Sequence, residues 1–280
     1  MQTHQLAAVA LLLLSMKAAH GAAVVSAASG ADAAAIQTTV DAFRASLGAL
    51  NPNVAGSFAA GRREINWDGV PDALAAPNNL PANFFNSNSP RGVVFSTPGT
   101  GFQVSANAGV APVLFDNINA GNSALFSTFS AQRLFTALGS TVTDVTFFVP
   151  GSTTPATVSG FGAVFTDVDL PQASSLQFFD LGNASLGTYF VPPVAGNQTL
   201  SFIGVLFTTE RVGRVRIASG SQVLGSAGTG DTVVMDDFIY GEPMVAVTAA
   251  IPEPQTYALL LAGLGLLGAA TRRRKPVGRR

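Results

Sequence analysis

The chain has 280 residues, of which 11% are charged, and a formal net charge of −1. Residues 22–250 hold eight arginines against fifteen acids, a net of −7, which argues against nucleic acid, since that binding is driven by Lys and Arg neutralising phosphates. The chain lacks cysteine, and its histidines (His4, His20) and lysines (Lys17, Lys275) all lie outside that stretch, so Ser-His-Asp and Cys-His catalysis, the usual zinc sites and Schiff-base chemistry are excluded there. An enzyme would have to work with carboxylates, arginines or tyrosines. The same acidic balance suits divalent cations or neutral sugars, and the length suits one large β domain or two small ones.

Leu6 to Leu14 is an apolar core of signal-peptide length, followed by small residues up to Ala19-His20-Gly21. A leader over residues 1–22 is expected, with a cut anywhere from residue 20 to 28. Ile36, Val40, Phe43 and Leu47 recur at spacings of four, three and four, so a helix is predicted over 32–48. Asp32 caps its start and Gly48 ends it. From Gly56 onward, short runs of Val, Phe, Ile and Thr alternate with Gly, Pro, Asn and Ser clusters. These predict strands near 63–67, 92–96, 101–105, 112–117, 133–136, 142–149, 160–168, 175–181, 185–191, 199–208, 211–219 and 232–240. No helical period intervenes, so an antiparallel sandwich or jelly roll is expected over 56–243 rather than parallel βαβ units.

Three places in this region carry candidate chemistry. Asn66-Trp67-Asp68-Gly69 holds the chain's one tryptophan. Exposed, Trp67 would stack on a sugar ring; buried, it belongs to the core. Arg62-Arg63 just before it reads as solvated strand pairing. Asp167 and Asp169, two apart on a strand, would share a face. Two carboxylates so placed want a shared cation or proton, or else mark a solvated strand end before Pro171. A glycosidase pair is the weakest of these readings, because both groups would approach from one side. Asp236 and Asp237 are adjacent, so on a regular strand they point to opposite faces.

The succession Gly160–Asp169, Ser175–Asp180, Ser185–Phe190, Ser201–Phe207, Val212–Ile217 and Met235–Tyr240 resembles the galactose-binding-like jelly roll of many surface and carbohydrate-binding proteins. That resemblance spans roughly 140–241. It implies a structural calcium in which Asp236 or Asp237 of the closing strand joins Glu64 or Asp68 near the first strand. Hard oxygen ligands fit that ion. Otherwise the aspartates cap turns or make surface hydrogen bonds.

The tail after a 244–250 linker has three parts. Pro252-Glu253-Pro254 is extended, since proline has no N–H and fixes φ. Ala258 to Ala270 is uncharged and apolar, short for a comfortable transmembrane helix. Arg272, Arg273, Arg274 and Lys275 then stop translocation and stay cytoplasmic. Residues 251–280 therefore resemble the PEP-CTERM sorting signal of Gram-negative bacteria. That resemblance implies recognition and cleavage by an exosortase, an inner-membrane intermediate, and a final place at the cell surface or in the extracellular polysaccharide matrix. The whole is expected to be an all-β surface protein with one N-terminal amphipathic helix, a C-terminal membrane helix and no catalytic residue, in a structural or adhesion role. A carbohydrate-binding module is the alternative and a carboxylate-based glycoside hydrolase the third.

Overall fold

A computed structural model describes residues 23–208, 211–246 and 259–267. The expected leader, Pro252, Glu253 and Pro254, and the basic cluster Arg272 to Lys275 lie outside the described residues. Two units divide the chain, Met1–Val245 and Ala246–Arg280. In the second, residues 259–267 are helical and their six leucines are exposed. Nine residues rise only about 14 Å against roughly 30 Å of hydrocarbon. No helix among the described residues is long and apolar enough to cross a membrane, and the expected 258–270 span extends beyond the described stretch.

The first unit runs β1 (Ala23–Gly30), α1 (Ala33–Leu47), β2 (Arg62–Ile65), α2 (Phe84–Ser87), β3 (Val93–Ser96), β4 (Gly101–Val104), α3 (Asn122–Leu125), β5 (Phe135–Leu138), β6 (Val142–Phe147) and β7 (Ala156–Thr157). It continues with β8 (Gly160–Thr166), β9 (Ser175–Phe179), β10 (Ser185–Phe190), β11 (Leu200–Phe207), β12 (Arg214–Ala218), β13 (Val234–Gly241) and β14 (Met244–Val245). One sheet has the order β1-β11-β8-β13-β5-β4, with β2 also on β13. The second has the order β10-β9-β12-β6-β3, and β7 pairs with β14 apart from both. Every strand pair is antiparallel.

The core lies between the two sheets. Phe161, Phe165, Val205, Phe238 and Tyr240 of the first meet Phe95, Val145, Phe147, Phe178 and Val215 of the second. Phe147 touches Tyr240 (centroids 5.6 Å) and Phe178 touches Phe207 (5.2 Å) across the gap. Alternation along each strand puts these residues inward and their neighbours outward. The structure thus agrees with the expected antiparallel sandwich.

Helix α1 forms as its pattern predicts. Asp32 accepts a hydrogen bond from the Ala35 N–H at 3.0 Å, and Gly48 ends the helix with φ 96°. Its buried face of Ile36, Val40, Phe43 and Leu47 packs on Val164, Leu200, Phe202 and Ile239, the outer face of the first sheet. Each such side chain contributes roughly 1.5–3 kcal/mol on burial. Gly162 and Gly204 make the seat: a Cβ on either would come within 2.7–2.9 Å of the Phe43 ring. The first sheet is thereby covered on both faces, and β8 and β13 are buried throughout.

Three expectations need correction. Residues 112–117 make a turn of 3-10 helix at Val113–Phe115, where Leu114 (φ 39°) and Phe115 (φ 71°) are incompatible with a strand. Arg63 is not solvated: it is fully buried and pairs with buried Glu242 at 2.8 Å. Strand β1 falls in a stretch for which the sequence predicts no element, because the alanines and serines of 23–30 lack a strand signature. Tertiary pairing makes it a strand, with eight residues in register from Ala23↔Phe207 to Gly30↔Leu200. A leader cut at residue 28 would remove most of β1 and bare the edge of β11. N-terminal sequencing of exported protein is therefore expected to find a start at or before Ala23; a start at Ala27 or later would contradict this edge strand.

Candidate functional site

Strand β13 changes neighbours along one edge. Met235 pairs with Phe135 of β5, while Phe238 to Gly241 pair with β2. On its other edge Met235 faces Phe165 and Phe238 faces Ala163, so Asp236 and Asp237 together stand opposite Val164. Two residues against one is a β-bulge, and it cancels the alternation that a regular strand imposes. The carboxylates expected on opposite faces thus lie on the same side, beneath α1. Both reach Ser130, whose Oγ lies 3.4 Å from Asp236 and 2.6 Å from Asp237.

Asp236 is fully buried. Its Oδ2 accepts from the Phe129 and Ser130 N–H groups at 2.6 and 3.2 Å. Burial, then the Asp237 charge, push its carboxyl well above the ordinary range. Asp237 is raised too, first by burial, against the lowering effect of Ser130 and Arg44. Of the pair, Asp236 is the more deeply buried and is raised the more.

Glu64 also converges here, and Arg44 of α1 binds it. Arg44 Nη2 lies 3.1 Å from Glu64 and 2.9 Å from Asp237, with Nη1 3.2 Å from Asp41. A guanidinium thus stands between the carboxylates where calcium was expected. Asp68 does not join them: it accepts from the Gln132 N–H at 2.6 Å and from Asn66 at 3.0 Å. Among the described residues no three acidic, His or Cys side chains are arranged to hold a metal ion. Sequence spacing did not reveal Arg44 or Ser130 as partners, since they come from a helix and a loop remote in the chain.

Trp67 is not an exposed sugar platform. It is 0% exposed, stacks on Phe135 at 4.2 Å and 1°, and meets Phe238 edge-on at 5.0 Å. Its Nε1–H donates to the Asp236 carbonyl at 2.9 Å. The bulge and the aromatic core are therefore tied together.

Asp167 and Asp169 do not share a strand face. Strand β8 ends at Thr166, Asp167 turns to φ 68°, and Asp169 is exposed while Asp167 is 5% exposed. Asp tolerates this left-handed conformation better than most residues. The buried Asp167 Oδ1 has no hydrogen-bond partner. Burial, then the nearby Asp169 and Asp231 carboxylates, push Asp167 up to about 7. Because its folded pKa is raised, stability from this group is full below about pH 4 and is lost as pH rises toward 7. Asp167→Asn is expected to remove that slope and to stabilise the protein at pH 8 by about 2–4 kcal/mol. Melting curves of both proteins from pH 5 to pH 8 check this; an unchanged slope in the variant would exclude Asp167 as its source.

The outer face of the second sheet carries polar groups that the sequence pattern did not single out. Arg214 and Arg216 alternate with core residues on β12, and both bind Asp144 of β6, at 2.7 and 2.8 Å. The signal available in advance was the Arg-Val-Arg-Ile alternation, which sets two cations on the face opposite Val215 and Ile217.

Comparison with known proteins locates a second site by sequence. No curated protein and no solved structure matches the chain. The match that is found covers the tail alone: residues 250–275 are a PEP-CTERM protein-sorting motif, the C-terminal sorting signal of a secreted protein.

Proposed function

We propose that this chain is exported, processed at its C-terminal signal by an exosortase, and left at the cell surface or in the extracellular polysaccharide matrix, where its sandwich has a structural or adhesive role without catalysis. The observation that carries the reading is the sorting motif at 250–275, with Pro252-Glu253-Pro254, the apolar run and the arginines in that order. The absence of His, Cys and Lys from 22–250 supports a non-catalytic role, as does the burial of the Asp236–Asp237 pair away from any substrate. In the native host, mass spectrometry of the surface or secreted fraction is expected to show a mature protein lacking everything after Pro252–Pro254. Recovery of the intact Arg280 terminus in that fraction would overturn the processing.

Glycan binding is the second reading. The observation that favours it is the arginine-bearing outer surface of the second sheet, where Arg216 is 47% exposed. Neither reading calls on calcium: Arg44 binds Glu64 and Asp237, two of the carboxylates expected to hold it.

A further inference from the structure

The two sheets differ in what lies on their outer sides. α1 covers the first, whereas most outer positions of the second, apart from the buried Asp144, are partly or fully exposed: Val94 and Ser96 on β3, Thr146 on β6, Gln177 and Phe179 on β9, and Arg214 and Arg216 on β12. Register sets Arg216 between Asp144 and Gln177, and Arg214 between Thr146 and Phe179. Arg216 reaches Asp144 through Nε and Nη2 at 3.0 and 2.8 Å. Arg214 reaches it through Nη1 and touches Asn183 through Nη2 at 3.3 Å, with its guanidinium 3.9 Å above the Phe179 ring.

Two guanidinia on this face share one carboxylate, Asp144, as Arg44 and Arg62 share Glu64, but Arg44 also meets Asp237 and Asp41. Arg216 remains 47% exposed, and its Nη1 makes no hydrogen bond among the described residues. Beside Arg214 opens a cleft of about 240 Å³, with Phe148, Pro155 and Leu181 on its apolar side and Asn183, Asp180 and Arg214 on its polar side. A guanidinium fork matches a carboxylate. An apolar wall with a few polar groups fits the C–H face and hydroxyls of a sugar ring.

Building on the glycan-binding reading above, we propose that this face binds an acidic polysaccharide, with a uronate carboxylate at Arg216 and the adjoining sugar ring in the cleft at Asn183 and Leu181. The test uses the full-length chain in mild detergent, with polygalacturonate as the acidic probe and dextran as the neutral one, read by affinity electrophoresis. Polygalacturonate is expected to retard the protein, dextran to leave it free, and added salt to weaken the retardation. Arg216→Gln leaves the Arg214–Asp144 pair in place and is expected to weaken binding by roughly tenfold. Arg216→Lys should weaken it less. Asn183→Gly suits the native φ of 63° and probes the cleft without touching charge; it too should weaken binding. Absence of retardation, equal retardation by both polymers, or wild-type binding by both Arg216→Gln and Asn183→Gly would overturn the proposal. Retardation by dextran alone would also overturn it while leaving glycan binding in place, and none of these outcomes bears on the C-terminal processing.

Discussion

Trp67→Ala is expected to lower stability by about 4–5 kcal/mol, the largest effect of a single truncation in this protein. Three losses coincide. A fully buried indole leaves a cavity walled by Phe85, Phe95, Phe135 and Phe238, whose ring centroids lie 4.2–5.9 Å away. The stacked and edge-on pairs go with it, each about 0.5–1.5 kcal/mol. The Asp236 carbonyl loses its Nε1–H donor inside the bulge. Trp67→Phe restores a ring without the N–H and should recover more than half. Chemical denaturation followed by circular dichroism measures both, since the chain has no other tryptophan to report. A loss below about 1.5 kcal/mol for Trp67→Ala would mean that the aromatic cluster closes around the gap.

The second large effect belongs to Arg44. Its side chain is 19% exposed and binds Glu64 and the nearly buried Asp237. Arg44→Ala strands these carboxylates next to Asp236 and is expected to destabilise by about 3–4 kcal/mol at pH 8. The pH dependence has a definite sign. Asp236 and Asp237 already sit above the ordinary carboxylate range, and removing the cation raises Asp237 further. Groups with raised folded pKa contribute stability at low pH and lose it as pH rises through the folded value. The cost of Arg44→Ala should therefore shrink toward pH 5. Arg44→Met combined with Asp237→Asn removes both charges and should recover much of the loss. A pH-independent cost would mean that packing against Phe129, 5.8 Å from the guanidinium, outweighs the charge.

What the sequence disclosed and what it hid divide along physical lines. Helix α1 was legible to its caps, because the 3.6-residue period and the Asp32 and Gly48 signals are local. Most strands were legible within a few residues, because alternation between core and solvent is also local. Strand β1 was not, since its alanines and serines become a strand only by pairing with β11, 170 residues away or more. The turn at 113–115 was misread because apolar residues there face a small satellite core with Phe126 and Leu134 rather than a sheet. At the site, Asp236 and Asp237 were found from composition and position, but their geometry was inverted. A bulge caused by a change of neighbour from β5 to β2 leaves no mark in the strand's own sequence. Arg44 and Ser130 were hidden for the same reason. The tail stood at the opposite extreme: its signal is linear and is read as a linear string.

The pairing of β1 with β11, and of β2 with β13, joins the first strands of the domain to nearly the last. A chain exported N-terminus first must keep β1 waiting, unpaired, until residue 207 has emerged, and β2 until residue 241. Closing such long loops is slow and strongly non-local. Only eight residues, 242–249, then separate the end of β13 from the start of the sorting motif at residue 250. Completion of the central sheet and emergence of the sorting signal are therefore nearly simultaneous events. The topology ties the moment at which the first unit becomes a solid body to the moment at which its sorting signal is released.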